Sequence, residues 1–178
     1  MTVMQHRNAI LTGFAPVVPA QPKVLILGSM PGEASLHAQQ YYAHPRNAFW
    51  PVMQMLFDID RELHYEARIQ QLKVHGVALW DVVYQCRRAG SLDAAIEIDS
   101  IKLNNIGSLL QSCPEITAIF CNGGKAWDLF RRHFFTRVAS IRPAMLMAKL
   151  PSTSPANARL SLQQKSVAWQ KVKQLSAV

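Results

Sequence analysis

Cysteine is scarce in this chain, and the three that occur are not spaced as ligands or disulfide partners. Cys86, Cys113 and Cys121 contain no C-x-x-C pair, which argues against a structural zinc site. Three thiolates are also too few for a four-cysteine iron–sulfur cluster. A disulfide framework is not indicated either, so we expect a protein of a reducing compartment that uses no metal and no other cofactor.

Long apolar runs are missing as well, since none approaches the ~18 residues that a membrane-spanning helix requires. The first residues lack the cationic start and unbroken apolar core of a signal peptide. We therefore expect a soluble, cytoplasmic protein without membrane contact. Its prolines predict that residues 1–22 form an extended lead-in that ends at Pro22.

Acidic residues are scarce in the second half of the chain. Residues 1–99 contain 8 Lys and Arg against 9 Asp and Glu, whereas residues 100–178 contain 11 against 2. The formal net charge is +8, and its concentration in one half favours a nucleic-acid partner over a merely solubilising surface. With 178 residues and 49% hydrophobic content, the chain 1–178 is expected to form one domain.

Short apolar segments alternate with amphipathic ones along the sequence. Four of them have the length and composition of buried parallel strands, namely 23–27, 77–80, 116–121 and 144–150. Helices are predicted at 48–57, 61–75, 100–112 (capped by Ser100), 124–135 and 157–175. This alternation predicts an α/β fold, a three-layer α/β/α sandwich around a central, mostly parallel four-stranded sheet. Ligands of such sheets bind beyond the carboxyl ends of the strands, so a site is expected in the loops there.

The loop that leaves the first predicted strand combines glycine, proline and aromatic residues. It begins Gly28-Ser29-Met30-Pro31-Gly32, a tight turn in which backbone can approach a ligand closely. Tyr41 and Tyr42 add flat aromatic surface to the same loop, which suits a planar ligand. Taken alone, a Gly/Pro turn after a strand is more often just a turn.

Four ordered segments resemble the uracil-DNA glycosylase superfamily, and within it most closely the hypoxanthine-DNA glycosylase family. The superfamily's first motif has the form G-x-[DN]-P-[YG] followed by an aromatic residue, and GSMPGEASL…YYAHPRNAFW, from Gly28 to Trp50, is similar to the hypoxanthine family's version. LPSTSPAN at 150–157 resembles the second motif, and the segments 76–96 and 119–127 are similar to the loops between. The resemblance implies a uracil-DNA glycosylase-like fold, with Tyr42 as the aromatic that stacks on an extruded base.

The third residue of the first motif departs from many superfamily members. Met30 stands where they place an Asp or Asn that orients the attacking water, and a thioether cannot do this. The hypoxanthine family also lacks that residue and uses the Asn of the HPRN stretch, which implies that Asn47 is catalytic here. A carboxamide is not a base, so its expected contribution is to position water and sugar. Without the resemblance, Asn47 would be interpreted as a helix N-cap.

Contacts to the extruded base are implied for the first loop and for two later strand ends. Asp81 is either a loop or capping carboxylate or the counterpart of the family's base-reading residue, where it would accept a hydrogen bond from a purine N1–H. Asn122 is a candidate donor to the departing base, and the glycines after it lack the spacing of a nucleotide-triphosphate loop. His44 is expected to brace its loop rather than to act as an acid. The predicted base-contacting residues are Gly28, Ser29, Met30, Pro31, Gly32, Tyr42, Asp81 and Asn122.

The stretch 150–157 is rich in small hydroxyl residues and proline, which suits contact with phosphates and the minor groove. Basic residues flank it and continue on the last predicted helix at Lys165, Lys171 and Lys173, so attraction to DNA should depend on salt. The predicted DNA contacts are Lys149, Ser152, Thr153, Ser154, Asn157 and Arg159. The expected partner is double-stranded DNA that contains a deaminated base, bound by a monomer that in a bacterium would associate with the nucleoid.

The resemblance implies a monofunctional glycosylase that flips a deaminated base, most readily hypoxanthine, and hydrolyses its N-glycosidic bond to leave an abasic site for base-excision repair. Two alternatives stay open. The AHPRN stretch is shared with mismatch-specific enzymes, which makes uracil opposite guanine a second candidate substrate. A catalytically silent DNA-binding protein is the third interpretation, because Met30 removes the usual water-positioning group.

Overall fold

A computed structural model describes residues 9–176 of the chain. Its strands are β1 (Ile10–Thr12), β2 (Val24–Gly28), β3 (Val77–Asp81), β4 (Val83–Arg87), β5 (Lys102–Leu103), β6 (Ala118–Asn122) and β7 (Leu146–Leu150). Its helices are α1 (Glu33–Ala38), α2 (Phe49–Phe57), α3 (Tyr65–Val74), α4 (Ile106–Ser112), α5 (Gly124–Phe130), α6 (Thr136–Ile141) and α7 (Leu162–Ser176). A π-helical turn, Arg131–Phe135, joins α5 to α6. None of the helices within residues 9–176 has the length and apolar character needed to span a membrane.

The central sheet contains four parallel strands in the order β3-β2-β6-β7. Side chains of β2 alternate between its two faces, as the period of a strand requires. Leu25 and Leu27 pack in an apolar cluster with α4, α5 and α6, whereas Val24 and Ile26 pack with α2, α3 and α7. Every residue of β2 is buried, because helices cover both faces. The predicted α/β/α sandwich and its four-stranded parallel sheet are confirmed.

A second sheet of three antiparallel strands, β1-β4-β5, was not predicted. Its formation corrects the helix expected at 100–112, because Lys102 and Leu103 pair with β4 instead. Helix α4 begins only at Ile106, and its cap is Asn105, whose Oδ1 accepts a hydrogen bond from Ser108 N at 3.0 Å. Two paired residues are too few to leave a readable alternation in the sequence.

Several element boundaries also differ from expectation. The helix expected at 124–135 continues through the π-helical turn as far as Ile141, and the last helix begins at Leu162 rather than near 157. Helix α1 was not predicted. In the lead-in, residues 10–12 form β1 and Val17 bridges to Leu79, while residues 1–8 lie outside the described part of the chain.

Gly123 makes the turn from β6 into α5 possible. Its φ of +95° and ψ of 174° lie in a region that side chains other than glycine rarely adopt. A Cβ atom at this position would also lie 2.9 Å from Ser152 Cβ. The turn and the stretch after β7 therefore approach each other as closely as they do because residue 123 has no side chain.

We expect Gly123→Ala to lower the free energy of unfolding by about 1–3 kcal/mol, since the backbone is strained and the Ser152 side chain must move. Gly124→Ala is the matched control, because an added Cβ at Gly124 meets no atom within 4 Å. Urea denaturation of both variants measures the difference. Equal stability of G123A and G124A would contradict the prediction.

Candidate active site

Strand β2 ends beside the end of β3, and this pairing forms the centre of the candidate site. Gly28 lies opposite Asp81 in the parallel register. The pairing continues beyond the strands, because Val82 N donates to Gly28 O at 2.9 Å and Val83 N donates to Ser29 O at 3.0 Å. A Cβ atom on Gly28 would lie 2.4 Å from Asp81 Oδ1. A side chain at position 28 would have to displace the Asp81 carboxyl group, which occupies that space.

Asp81 is a buried carboxyl group with an incomplete set of hydrogen bonds. The residue is 4% exposed, and its Oδ2 has no hydrogen-bond partner among the described residues. Burial raises the pKa of Asp81 to about 7, the Asp93 carboxylate adds to the rise, and the Arg88 guanidinium opposes it. Near neutral pH the group therefore exists as both acid and carboxylate, a property more typical of a functional site than of a capping residue.

Tyr42 places an aromatic ring next to Asp81. Its ring stacks on Phe49 with centroids 3.9 Å apart and planes inclined by 16°. The backbone of Tyr42 is left-handed, with φ at +57°, which is uncommon for an aromatic residue and typical of functional positions. The phenol oxygen would lie 3.6 Å from a Cβ atom on Gly28. Burial and the Asp81 charge raise the pKa of Tyr42, partly opposed by the nearby Asn122 amide, so the phenol stays neutral.

Buried polar atoms without partners concentrate around the loop Gly28–Gly32. Among the described residues they are Tyr42 Oη, Asp81 Oδ2, Arg88 Nη1 and Arg68 Nε. The first two lie beside Gly28, and Arg88 donates through Nη2 to Pro31 O, whereas the Arg68 guanidinium lies 4.5 Å from the centre of the Trp50 ring. Burying an unpaired polar atom is unfavourable, so the concentration indicates a ligand that completes these hydrogen bonds.

The remaining residues of the first loop hold its shape. Ser29 Oγ donates to Asp93 Oδ1 at 2.6 Å, and Gly32 is the N-cap of α1. Met30 is buried in the same apolar cluster as Leu27 and Cys86. The Met30 side chain therefore packs in the core, and its base contact stays a prediction.

Asn47 lies where the first loop enters α2. Its Oδ1 accepts a hydrogen bond from Phe49 N at 2.9 Å, which satisfies the first N–H of the helix, and its own N–H donates to His44 O at 2.8 Å. His44 Nδ1 in turn accepts from Arg46 N at 3.1 Å, so this histidine braces the loop as expected. The capping bond uses only the oxygen of the Asn47 side chain. The Tyr42 ring stacks on the ring of Phe49. The hydrogen bond from Phe49 N therefore also fixes the Asn47 side chain relative to the Tyr42 ring.

Thr153 connects three segments of the site. Thr153 N donates to Asn122 Oδ1 at 2.9 Å, Asn122 Nδ2 donates to Thr153 Oγ1 at 2.8 Å, and Ala48 N donates to Thr153 O at 2.8 Å. Thr153 is 1% exposed. The predicted DNA contact therefore does not fit Thr153, whose polar groups are engaged inside the protein. Asn122 holds the 150–157 stretch in place, and its base contact stays a prediction.

The rest of the 150–157 stretch is ordered by its own side chains. Asn157 Nδ2 donates to Ser152 O at 3.1 Å, and Ser154 N donates to Ser152 Oγ at 3.2 Å. Lys165 is buried and donates through Nζ to Asn157 O at 2.8 Å, so it supports the stretch and cannot serve as the phosphate contact expected of it. The exposed cations on either side are Lys149 and Arg159.

Arg88 and Asp93, which bind the Gly28–Gly32 loop, are candidate site residues that the sequence interpretation missed. The stretch Arg87–Asp93 reads as a polar turn after a strand, and nothing in its composition marks Arg88 as buried. Two surface cavities, of about 500 and 600 Å³, lie elsewhere, one between α2, α3 and α7 and the other beside α5 and residues 98–101. Within residues 9–176, no group of three or more His, Cys, Asp and Glu side chains is placed to hold a metal ion.

The fold and this cluster at the strand ends agree with comparisons to known proteins. A family model described as the uracil DNA glycosylase superfamily matches residues 15–173. The chain therefore belongs to the uracil DNA glycosylase superfamily, which makes it a DNA glycosylase with DNA as its substrate. The resemblance inferred from the four segments is confirmed.

Similar proteins from Methanosarcina species illustrate the relationship. A hypoxanthine DNA glycosylase of Methanosarcina acetivorans is 33% identical over 168 residues, which are 92% of this chain and 98% of the relative. One of Methanosarcina barkeri is 34% identical over 117 residues, 65% of this chain and 73% of the relative. An NMR structure of an M. acetivorans protein, provisionally assigned as a uracil DNA glycosylase, superposes with a TM-score of 0.78 at 30% identity, covering 94% of this chain and 99% of that one.

Asp81→Asn tests the burial of the carboxyl group. Its pKa rises from 3.8 to about 7 on folding, so the protonated form stabilises the protein at acidic pH and that stability is lost as the pH rises through 7. We expect the stability of D81N relative to the wild type to increase by roughly 2–3 kcal/mol between pH 5 and pH 8. Urea denaturation at both pH values measures it. The exposed Asp99→Asn is the control, and a pH-independent difference for D81N would contradict the prediction.

Proposed function

We propose that this DNA glycosylase flips a deaminated purine, hypoxanthine in the first place, out of double-stranded DNA and hydrolyses its bond to the sugar. The product is an abasic site for base-excision repair. The observation that carries the proposal is the buried, unpartnered Asp81 carboxyl group beside the Tyr42 ring. The names of the two Methanosarcina relatives support the choice of hypoxanthine.

Asp81 selects the base by its hydrogen-bonding edge. Hypoxanthine carries a donor at N1, which the ionised Asp81 carboxylate accepts, whereas adenine carries an acceptor there and would leave two acceptors facing each other. A site built to pair with a polar group rejects the analogue that lacks it, because buried polar groups then stay unpaired. This selection distinguishes the deaminated base from its normal precursor when Asp81 is ionised, because the protonated acid would donate to adenine N1 instead.

Tyr42 and Asn47 divide the remaining work on the flipped nucleotide. Extrusion costs a few kcal/mol of unstacking, least for a mispaired base, and the Tyr42 ring recovers part of it by stacking. Bond cleavage builds positive charge on the sugar and negative charge on the departing base. Asn47 positions the water at the sugar, while backbone N–H groups of Gly28–Gly32 and the Asn122 side chain are the donors toward the base.

DNA binds along the 150–157 stretch. The exposed Lys149 and Arg159 attract phosphates, and Ser152, Ser154 and Asn157 contribute small polar groups that position the duplex without reading its sequence. The chain acts as a monomer in this proposal.

Uracil opposite guanine is the second candidate substrate. Its N3–H presents the same kind of donor to Asp81, so the feature that selects hypoxanthine over adenine does not exclude uracil. A panel of duplexes, each with one deaminated base, incubated with the protein and treated with alkali to reveal abasic sites, decides between them. Binding without base release on every duplex would overturn the proposal in favour of a silent DNA-binding protein.

Asn47→Ala should reduce single-turnover excision from a deoxyinosine duplex by roughly 100-fold or more, because the water loses its positioning group. Binding of the duplex should persist. Asn105→Ala is the matched control, since the Oδ1 of Asn105 also accepts a backbone N–H in the first turn of a helix, α4. Both variants should lose about 1 kcal/mol of stability. Equal turnover in N47A and N105A would remove Asn47 from the mechanism.

Tyr42→Ala should weaken the binding of the flipped base by about 1–3 kcal/mol, the usual range for one base stacked on an aromatic ring. The measurement is the rate of excision at saturating enzyme, together with the affinity for a duplex that contains a stable abasic analogue, which has no base to stack. That affinity should change little. Tyr84→Ala, at a tyrosine 41% exposed on β4, serves as the control.

A further inference from the structure

Residues 88–93 hold the base-contacting loop along much of its length. Arg88 donates to Pro31 O, Ser29 Oγ donates to Asp93 Oδ1 at 2.6 Å, and Glu33 N donates to Ser91 Oγ at 2.9 Å. These contacts join parts of the chain that are 57 to 64 residues apart. The Gly28–Gly32 loop therefore owes its position to a segment that lies outside the central sheet.

Hydrogen bonds of Arg88 also hold the segment 88–93 in its own conformation. Arg88 pairs with Ile96 through an isolated β-bridge, and Arg88 Nε donates to Gly90 O at 2.8 Å. Ile96 is buried in the apolar cluster under the sheet. Arg88 is 4% exposed, and so deep a burial is rare for an arginine unless the guanidinium is paired with other polar or charged groups. Its Nη1 has no partner among the described residues, so local hydrogen bonding does not explain its burial fully.

Arg88 and Asp93 also carry the charges that act on Asp81. The Asp93 carboxylate raises the pKa of Asp81 and the Arg88 guanidinium lowers it, in both cases after the effect of burial. Tyr41 and Tyr42 also face Asp81, and burial raises the pKa of both phenols, so they stay neutral between pH 5 and 9. Burial raises the pKa of Asp93, and the hydrogen bond from Ser29 and the charges of Arg88 and Lys125 oppose this rise.

We propose that Arg88 and Asp93, whose side chains bind Pro31 and Ser29, are positioning residues of the base site, which hold the Gly28–Gly32 loop against β3 and act on Asp81 through their opposite charges. The inference rests on the proposed function for its link to base selection. Arg88 favours the carboxylate that accepts from the base, and Asp93 moderates that effect. Base recognition is thereby adjusted by two opposite charges that need not touch the substrate.

Two substitutions of opposite charge give the decisive test. Asp93→Asn keeps an acceptor for Ser29 Oγ and removes the negative charge, so the Asp81 titration should move to lower pH. Arg88→Met removes the positive charge, so it should move to higher pH. The measurement is the pH titration of the Asp81 side-chain carboxyl by ¹³C NMR, assigned through D81N, on the full-length protein. Asp99→Asn and Arg87→Met are the charge-matched controls, since these residues flank the segment 88–93 and do not bind the Gly28–Gly32 loop.

A purely structural role would not move the two titrations in opposite directions. Shifts in the same direction, or none in either variant, would overturn the proposal. If Arg88→Met does not fold, Arg88→Lys replaces it. This variant keeps the charge, so its Asp81 titration should stay near the wild-type position while excision slows through loss of the contact with Pro31 O. A titration of R88K displaced to higher pH would count against the charge assigned to Arg88.

Excision measured across the same pH range separates this inference from the proposed function. If ionised Asp81 accepts a hydrogen bond from the base, the rate of hypoxanthine excision falls as the pH drops below about 7. This fall should occur at lower pH in D93N and at higher pH in R88M. Ser29→Ala breaks the bond to Asp93 and keeps its charge, so it should slow excision without the downward shift of D93N. If the wild type excises no base, the proposed function fails while the NMR titration still decides the roles of Arg88 and Asp93.

Discussion

The close contact between Gly28 and the Asp81 carboxyl group is the constraint on which the rest of the site depends. A carboxyl group enters the interior at the end of a parallel strand only if its neighbour leaves room, and the register of β2 and β3 sets a glycine opposite it. Burial then disfavours the charged form, so the group must be compensated by nearby charges or by a ligand. The Tyr42 ring and residues 88–93 are arranged around this one unfavourable placement.

Stability and activity make opposite demands on this carboxyl group. An uncharged residue at position 81 would suit the interior better at neutral pH, as the raised pKa of Asp81 indicates. The presence of a carboxyl group at position 81 is understandable if recognition of a base requires a hydrogen-bond acceptor that is shielded from water. Proteins commonly accept strain and unsatisfied polar groups at functional sites and compensate for them elsewhere.

The central sheet was predictable from the sequence because its strands are short apolar runs separated by helices. Asn47, Tyr42 and Asp81 were predicted as site residues through a resemblance, and the structure places Tyr42 and Asp81 together beside Gly28. The small antiparallel sheet escaped prediction because β1 and β5 contain only three and two residues. Arg88, Thr153 and Lys165 were missed or assigned to the surface because their burial is a property of tertiary contacts, which leave no local pattern. Asp93 was missed because its contact with Ser29 joins residues 64 apart in the chain. Met30 shows the converse, since its position in the motif suggested contact with a base and its side chain is core.

The contacts of Thr153 have a mechanical consequence. Its backbone and hydroxyl join the stretch after β7 to the end of β6 and to the residue that follows Asn47. A displacement of this stretch is therefore transmitted through hydrogen bonds to the first turn of α2. If DNA binds along residues 150–157 as we propose, binding of the duplex is coupled to the alignment of the Asn47 carboxamide, and a free nucleoside, which would make no contact there, lacks this coupling.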